Sequence, residues 1–82
     1  MEIELKDFFI DQLMACPIQF QQRFRKIYQQ LKIVDHPIEV KGVTKTATDK
    51  FYKITIDKST IGLNLRGNKL IIVCFLTNQF LT

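Results

Sequence analysis

The sequence predicts an α+β fold, with a short N-terminal strand and a two-helix hairpin packed on a mostly antiparallel, twisted sheet of about four strands. Three observations support this. Residues 2–6 alternate between polar and apolar side chains. Residues 20–31 carry one apolar stripe at helical spacing. Residues 51–76 contain alternating segments separated by turn residues. A chain of 82 residues suits a single domain, residues 1–82, with little core to spare.

The N-terminal half begins with a strand and continues as two helices. Ile3 and Leu5 share one face of the strand, and Asp7 is expected to cap a first helix over residues 8–15. Pro17 cannot continue that helix and suits the first turn of a new one. The sequence therefore predicts a break near Cys16 between two consecutive helices.

The second helix has the clearest pattern in the chain. Its apolar stripe consists of Phe20, Phe24, Ile27, Tyr28 and Leu31. Three cations lie off this stripe among five glutamines, at Arg23, Arg25 and Lys26, which indicates a solvated, basic outer face. Residues 35–37 end the helical region at a proline, and His36 has no companion for metal or nucleophilic chemistry. We expect His36 to lie on the surface or to cap a turn.

The second half reads as a loop followed by three strands. Residues 42–50 are rich in Thr and Lys without an apolar period, which predicts a loop. Strands are then expected over residues 51–56, 60–65 and 70–76, with turns at residues 57–59 and 67–68. The apolar run of residues 70–76 is typical of a buried central strand.

The charge distribution favours an anionic partner. The net charge is +4, yet residues 12–82 carry eleven Lys or Arg against four acids. Such an excess fits nucleic acid or an acidic peptide, although ordinary solubilising charge gives the same pattern. Candidate contacts in the loop and sheet are Lys41, Lys45, Lys50, Lys53, Lys58, Arg66 and Lys69. Phe51, Tyr52 or Phe80 could stack on bases if exposed, but we expect Phe51 and Tyr52 to pack in the core.

The sequence lacks the residue patterns that metal binding, cofactor binding and membrane insertion require. Cys16 and Cys74 have no metal-ligand spacing and are expected to be reduced core thiols, so no metal site is predicted. No glycine-rich loop precedes a helix, and no small-molecule cofactor is expected. The N-terminus is acidic and no apolar run approaches the length of a membrane span, so we expect a cytoplasmic protein without membrane contact.

The chain resembles the RelE/ParE toxin superfamily over nearly its whole length. The resemblance rests on residues 28–32 at the end of the second helix, a proline shortly after, the Lys-Gly step at Lys41, the Tyr-Lys-apolar strand start at Lys53, and the strands over residues 60–65 and 70–76. Members are toxins of bacterial toxin–antitoxin pairs. The RelE branch cleaves messenger RNA in the ribosomal A site without a metal, whereas the ParE branch inhibits DNA gyrase.

The resemblance implies a toxin with a cognate antitoxin as partner, and with ribosome and messenger RNA as further partners if the chain is RelE-like. Lys53 matches a basic residue at the start of the family's second strand, and Lys41 matches the basic residue of the Lys-Gly step. Cleavage requires cations that stabilise the charged transition state. We therefore assign Lys53 and Arg66 to catalysis. RNA binding is assigned to Lys41, Lys45, Lys50, Lys58 and Lys69.

Two departures from the family pattern leave a second function open. Gly62 stands where the next strand usually bears an arginine, and residues 77–82 lack the basic end that the family commonly has. These departures favour a non-enzymatic domain, either ParE-like or a degenerate toxin that acts by protein binding. A third alternative is an unrelated RNA- or protein-binding domain with the same order of elements.

Overall fold

The computed structural model describes residues 1–76. The helical elements are α1 (Asp7–Met14), α2 (Ile18–Ile33) and a 3₁₀ turn (Pro37–Glu39). The strands are β1 (Glu2–Leu5), β2 (Val43–Lys45), β3 (Phe51–Ile56), β4 (Ser59–Arg66) and β5 (Lys69–Leu76). The predicted class and order of elements, a strand and two helices followed by a sheet, are confirmed.

The predicted break between the two helices is confirmed, with small differences at the caps. Lys6 occupies the N-cap position of α1 without a side-chain hydrogen bond, so the expectation that Asp7 caps this helix is wrong. Asp7 is instead the first helical residue, where its carboxylate favours the positive end of the helix dipole. Pro17 immediately precedes α2 as its N-cap residue.

The sheet contains five strands in the order β1-β5-β4-β3-β2. Its β2–β3, β3–β4 and β4–β5 pairs are antiparallel, whereas β1 runs parallel to β5. The prediction that residues 42–50 form only a loop is wrong at Val43–Lys45, which pairs with β3 as the fifth strand. The run 70–76 belongs to β5, which lies between β1 and β4, and β4 is the middle strand.

One face of the sheet forms the core with the helices. Of the residues that the structure describes, thirteen apolar side chains are buried there, among them Phe20, Phe24 and Leu31 from the predicted stripe of α2. Phe9 of α1 is fully buried, with its ring centroid 5.2 Å from that of Phe24 and 5.4 Å from that of Phe75 on β5. Aromatic contacts therefore connect both helices to the sheet.

The two cysteines and Gln12 are half-buried. Cys16 and Cys74 are free and half-buried, so neither belongs to the fully buried core. The side chain of Gln12 accepts a 2.9 Å hydrogen bond from the backbone N–H of Phe75, because β1 ends opposite Ile72 and does not extend to Phe75.

Within residues 1–76 we find no group of three potential metal ligands and no helix long and apolar enough to cross a membrane.

Candidate nucleic-acid interface

The face of the sheet turned away from the helices carries Lys53. On β3, Tyr52, Ile54 and Ile56 are buried toward the helices, so alternation directs Lys53 to the opposite side, which we call the open face. Lys53 is half-buried and lies between Thr44 of β2 and Gly62 of β4. It forms no ion pair within residues 1–76. A half-buried lysine without a carboxylate partner is suited to bind an anion.

Phe51 lies on the same open face and covers Gly62. A Cβ atom added to Gly62 would lie 2.8 Å from Cζ of Phe51 and 3.3 Å from Cδ2 of Leu76. The Phe51 ring therefore fills the space above the position where the family pattern has an arginine. Phe51 is half-buried on the open face, so the expectation that it packs in the core with Tyr52 is wrong.

Arg66 lies at the end of β4, well separated from Lys53. It pairs with Lys69 across the hairpin, and Leu65 donates a 2.8 Å hydrogen bond to the carbonyl of Lys50. Arg66 is four positions along β4 from Gly62, the neighbour of Lys53, which is about 13 Å along a strand. The two residues assigned to catalysis from the sequence are therefore not brought together.

Lys45 is directed to the other side of the sheet. It lies opposite Tyr52, with its Nζ 5.5 Å from the centroid of the Tyr52 ring and 3.9 Å from Oδ1 of Asp49. Because Tyr52 is buried toward the helices, Lys45 lies at the edge of that side rather than on the open face.

The predicted basic residues do not form one cluster. Lys45, Lys50, Arg66 and Lys69 lie toward one end of the sheet. Lys41 precedes β2, and Lys58 lies in the turn between β3 and β4, so both are at the opposite end. Lys53 is between these two groups.

Lys69 is already engaged by a carboxylate. Its Nζ lies 2.6 Å from Oε1 of Glu4, and Nζ of Lys6 lies 2.9 Å from Oε2 of the same residue. Hydrogen bonds from Lys69 and Lys6 lower the pKa of Glu4 to about 2, and the bond to Glu4 in turn raises the pKa of Lys69. Binding of a phosphate by Lys69 would have to compete with this carboxylate.

We expect Glu4 to make the stability depend on pH in acid. Its pKa is about 2 in the folded chain and 4.5 ordinarily, so its contribution is present above about pH 4.5 and is lost as the pH falls toward 2. Glu4→Gln should therefore flatten the loss of stability over that window, measured by urea unfolding from about pH 7 to about pH 2.5. Glu2→Gln is the matched control, and identical curves for both variants would refute the assignment.

His36 caps the 3₁₀ turn, as expected from the sequence. Its Nδ1 accepts a 3.2 Å hydrogen bond from the Ile38 N–H, and Glu39 accepts from the His36 N–H at 2.9 Å. Since Nδ1 is an acceptor, the neutral ring carries its proton on Nε2, which donates to the Tyr52 hydroxyl at 3.2 Å. His36 is therefore a structural residue.

An apolar groove between the helices and β1 is a feature that sequence patterns did not reveal. It has a volume of about 380 Å³ and is lined by Leu5, Leu13, Ile18, Gln21, Gln22, Phe24, Arg25 and Tyr28. At its mouth Ile18 is 61% exposed, and Met14 of the preceding helix is 66% exposed. Exposed apolar side chains beside a groove are typical of a protein-binding surface.

The arrangement of strand, helix pair and sheet is that of a RelE-like fold. The chain is similar to a chain in the crystal structure of the RelB–RelE antitoxin–toxin complex from Methanococcus jannaschii, with a TM-score of 0.78 and 18% sequence identity. The similarity covers 93% of this chain and 91% of that one. No protein-family model matches the sequence, and a search of curated proteins finds no match.

Proposed function

We propose that the chain is the toxin of a toxin–antitoxin pair and acts as a RelE-like, ribosome-dependent endoribonuclease on messenger RNA. The observation that carries this proposal is the position of Lys53, half-buried and without an ion pair in residues 1–76, on the open face of a RelE-like sheet. The similarity to a toxin–antitoxin complex supports the toxin role. Lys53, which the family resemblance matches to a basic residue at the start of the family's second strand, supports RNA as the substrate.

In the proposed reaction a ribose 2′-oxygen loses its proton and attacks the adjacent phosphate. The bond from phosphorus to the 5′-oxygen breaks, and the leaving 5′-oxygen takes up a proton. Lys53 would donate to the phosphate oxygens and stabilise the charge that develops there. Arg66 lies about 13 Å farther along β4 and would hold a different phosphate of the same strand. Lysine and arginine are protonated at neutral pH and serve as cations, not bases. The carboxylates of the open face, Glu2 and Glu4, lie on β1, three strands away from Lys53, so proton transfer beside Lys53 would fall to the bound ribosome and RNA.

Lys53→Ala is expected to reduce messenger-RNA cleavage at least about tenfold, since a charge-assisted hydrogen bond to the phosphate is lost. The measurement is growth after induced expression together with mapping of messenger-RNA ends. Lys32→Ala is the control, because Lys32 lies at the end of α2, away from the open face, with its Nζ over the Tyr28 ring. Unchanged, codon-phased cuts in Lys53→Ala would contradict the role of Lys53.

The second candidate is a non-enzymatic toxin that acts by binding a protein. It is favoured by the Phe51 ring, which covers Gly62 and leaves no room for the arginine of the family pattern. Growth arrest without RNA cuts would select this function, with gyrase as one target to examine. No arrest would indicate a domain that only binds an antitoxin.

Under both candidates we propose an antitoxin partner that uses the apolar groove. An amphipathic helix would place its apolar side against Leu13, Ile18 and Tyr28, and its acidic side beside Arg25 at the rim. Burial of the groove would supply affinity and the rim charge would orient the helix. Binding should weaken as salt rises if the basic residues contribute, which a titration at several ionic strengths would measure.

A further inference from the structure

The outer face of α2 carries positive charge without any acid. The helix contains four cations, Arg23, Arg25, Lys26 and Lys32, together with five glutamines and no Asp or Glu. Six exposed polar residues form a shallow concave surface, which we call the α2 strip: Gln19, Gln22, Arg23, Arg25, Lys26 and Gln29. A solvated helix face usually gains stability from paired charges of opposite sign, which the α2 strip lacks.

Two of the three strip cations have no ion-pair partner in residues 1–76. Arg23 pairs with Asp57 in the β3–β4 turn, whereas Arg25 and Lys26 form no salt bridge there. Cations three residues apart on a helix, as at Arg23 and Lys26, repel each other slightly. The charges of Arg25 and Lys26 are therefore available for an external anion.

The composition of the α2 strip favours nucleic acid over protein. Specific protein interfaces have an apolar centre, but the strip contains no apolar side chain. Interfaces with nucleic acid are more polar, positively charged and rich in water. The adjoining apolar groove shares Gln22 and Arg25 with the strip at its rim, but its other lining residues include the apolar side chains that a protein partner needs.

The side chains also distinguish folded RNA from a single strand. Single-stranded RNA is bound through aromatic side chains that stack on bases, and none is present in the α2 strip. Arginine, lysine and glutamine donate to phosphate and ribose oxygens, which a double-stranded helix presents along its minor groove. The strip therefore fits the backbone of duplex RNA.

We propose that the α2 strip binds the phosphate backbone of double-stranded RNA. This surface lies on the helix layer, on the other side of the sheet from Lys53. The inference goes beyond the proposed function, because the chain would have one surface for the strand to be cut and a separate one for folded RNA. Binding at the α2 strip does not require cleavage and can be measured without ribosomes.

The test is fluorescence anisotropy of the full chain with an RNA hairpin of about 16 base pairs, a length that shape-reading domains span. The double variant Arg25→Gln/Lys26→Gln is expected to lose at least about tenfold in affinity. Its slope of log affinity against log salt should decrease by about 2, close to 1 for each lost phosphate contact.

The matched control removes the same charge elsewhere, as Lys6→Gln/Lys32→Gln, and should retain the affinity. An equal loss in both double variants would overturn the proposal and leave a general charge effect. Unchanged hairpin binding in Arg25→Gln/Lys26→Gln, or tighter binding of a polyglutamate peptide or single-stranded oligouridine than of the hairpin, would also overturn it. Hairpin binding is measured without ribosomes and without cleavage, so failure of the cleavage hypothesis would be recognised separately.

Discussion

Phe9→Ala is expected to lower the free energy of unfolding by about 3–5 kcal/mol, a large part of the stability of the domain. Truncation of a buried Phe costs about 3–5 kcal/mol, while a chain of this length has a total stability of roughly 4–12 kcal/mol. Phe9 is fully buried and contacts Phe24 of α2 and Phe75 of β5, so its removal loosens both helices from the sheet. Urea unfolding followed by circular dichroism measures the loss.

Phe8 provides the matched control for this experiment. It precedes Phe9 in the same helix but is 65% exposed, so Phe8→Ala should change the free energy of unfolding by less than about 0.5 kcal/mol. If the two variants were destabilised equally, the assignment of Phe9 as the connection between helices and sheet would be wrong.

Gly62→Arg is expected to destabilise the fold by about 1–3 kcal/mol, and to confer no cleavage activity that the wild type lacks. The new Cβ would overlap the Phe51 ring at 2.8 Å and press on Leu76 at 3.3 Å, so the aromatic side chain must move out of its position on β3. Replacing a glycine in the middle of a strand normally raises the free energy of unfolding. A lower free energy of unfolding in Gly62→Arg would therefore indicate a specific steric conflict.

A double-mutant cycle identifies the cause of that loss. In a Phe51→Ala background the contact at 2.8 Å is removed and Leu76 at 3.3 Å remains, so Gly62→Arg should cost much less there than in the wild type. Thermal or urea unfolding of the four proteins gives the coupling energy. Equal costs in both backgrounds would show that the Phe51 ring is not the obstacle.

Local patterns in the sequence were sufficient for the helices and the hairpins. The stripe of α2 placed Phe20, Phe24 and Leu31 in the core, because helical spacing alone determines which side chains share a face. The turn at Gly67 was predicted for a similar reason, and this residue has a φ of +59° that glycine adopts without strain.

Features that depend on contacts distant in sequence were not predicted. β2 is three residues long and has no apolar alternation, so only its pairing with β3 defines it as a strand. The position of Phe51 over Gly62 likewise depends on the register between β3 and β4. A pattern within one segment does not contain that information.

For the candidate site, the face on which Lys53 lies was predicted, but the arrangement of the other cations was not. Alternation along β3 identified the two faces of this strand and so separated Lys53 from Tyr52. Alternation did not show that the turns divide the other cations between two ends of the sheet, or that Glu4 engages Lys69 from the first strand. Their assignment to RNA binding remains a prediction.

The parallel pairing of β1 with β5 has a consequence for the order of folding during synthesis. β1 is made first, but its partner residues Lys69–Ile72 are among the last of the described chain to emerge from the ribosome. The N-terminal strand must therefore wait for almost the whole of that chain before it enters the sheet, and contacts so far apart in sequence form slowly. Nascent chains that stop before β5 lack both the partner of β1 and the Phe75 ring that stacks on Phe9.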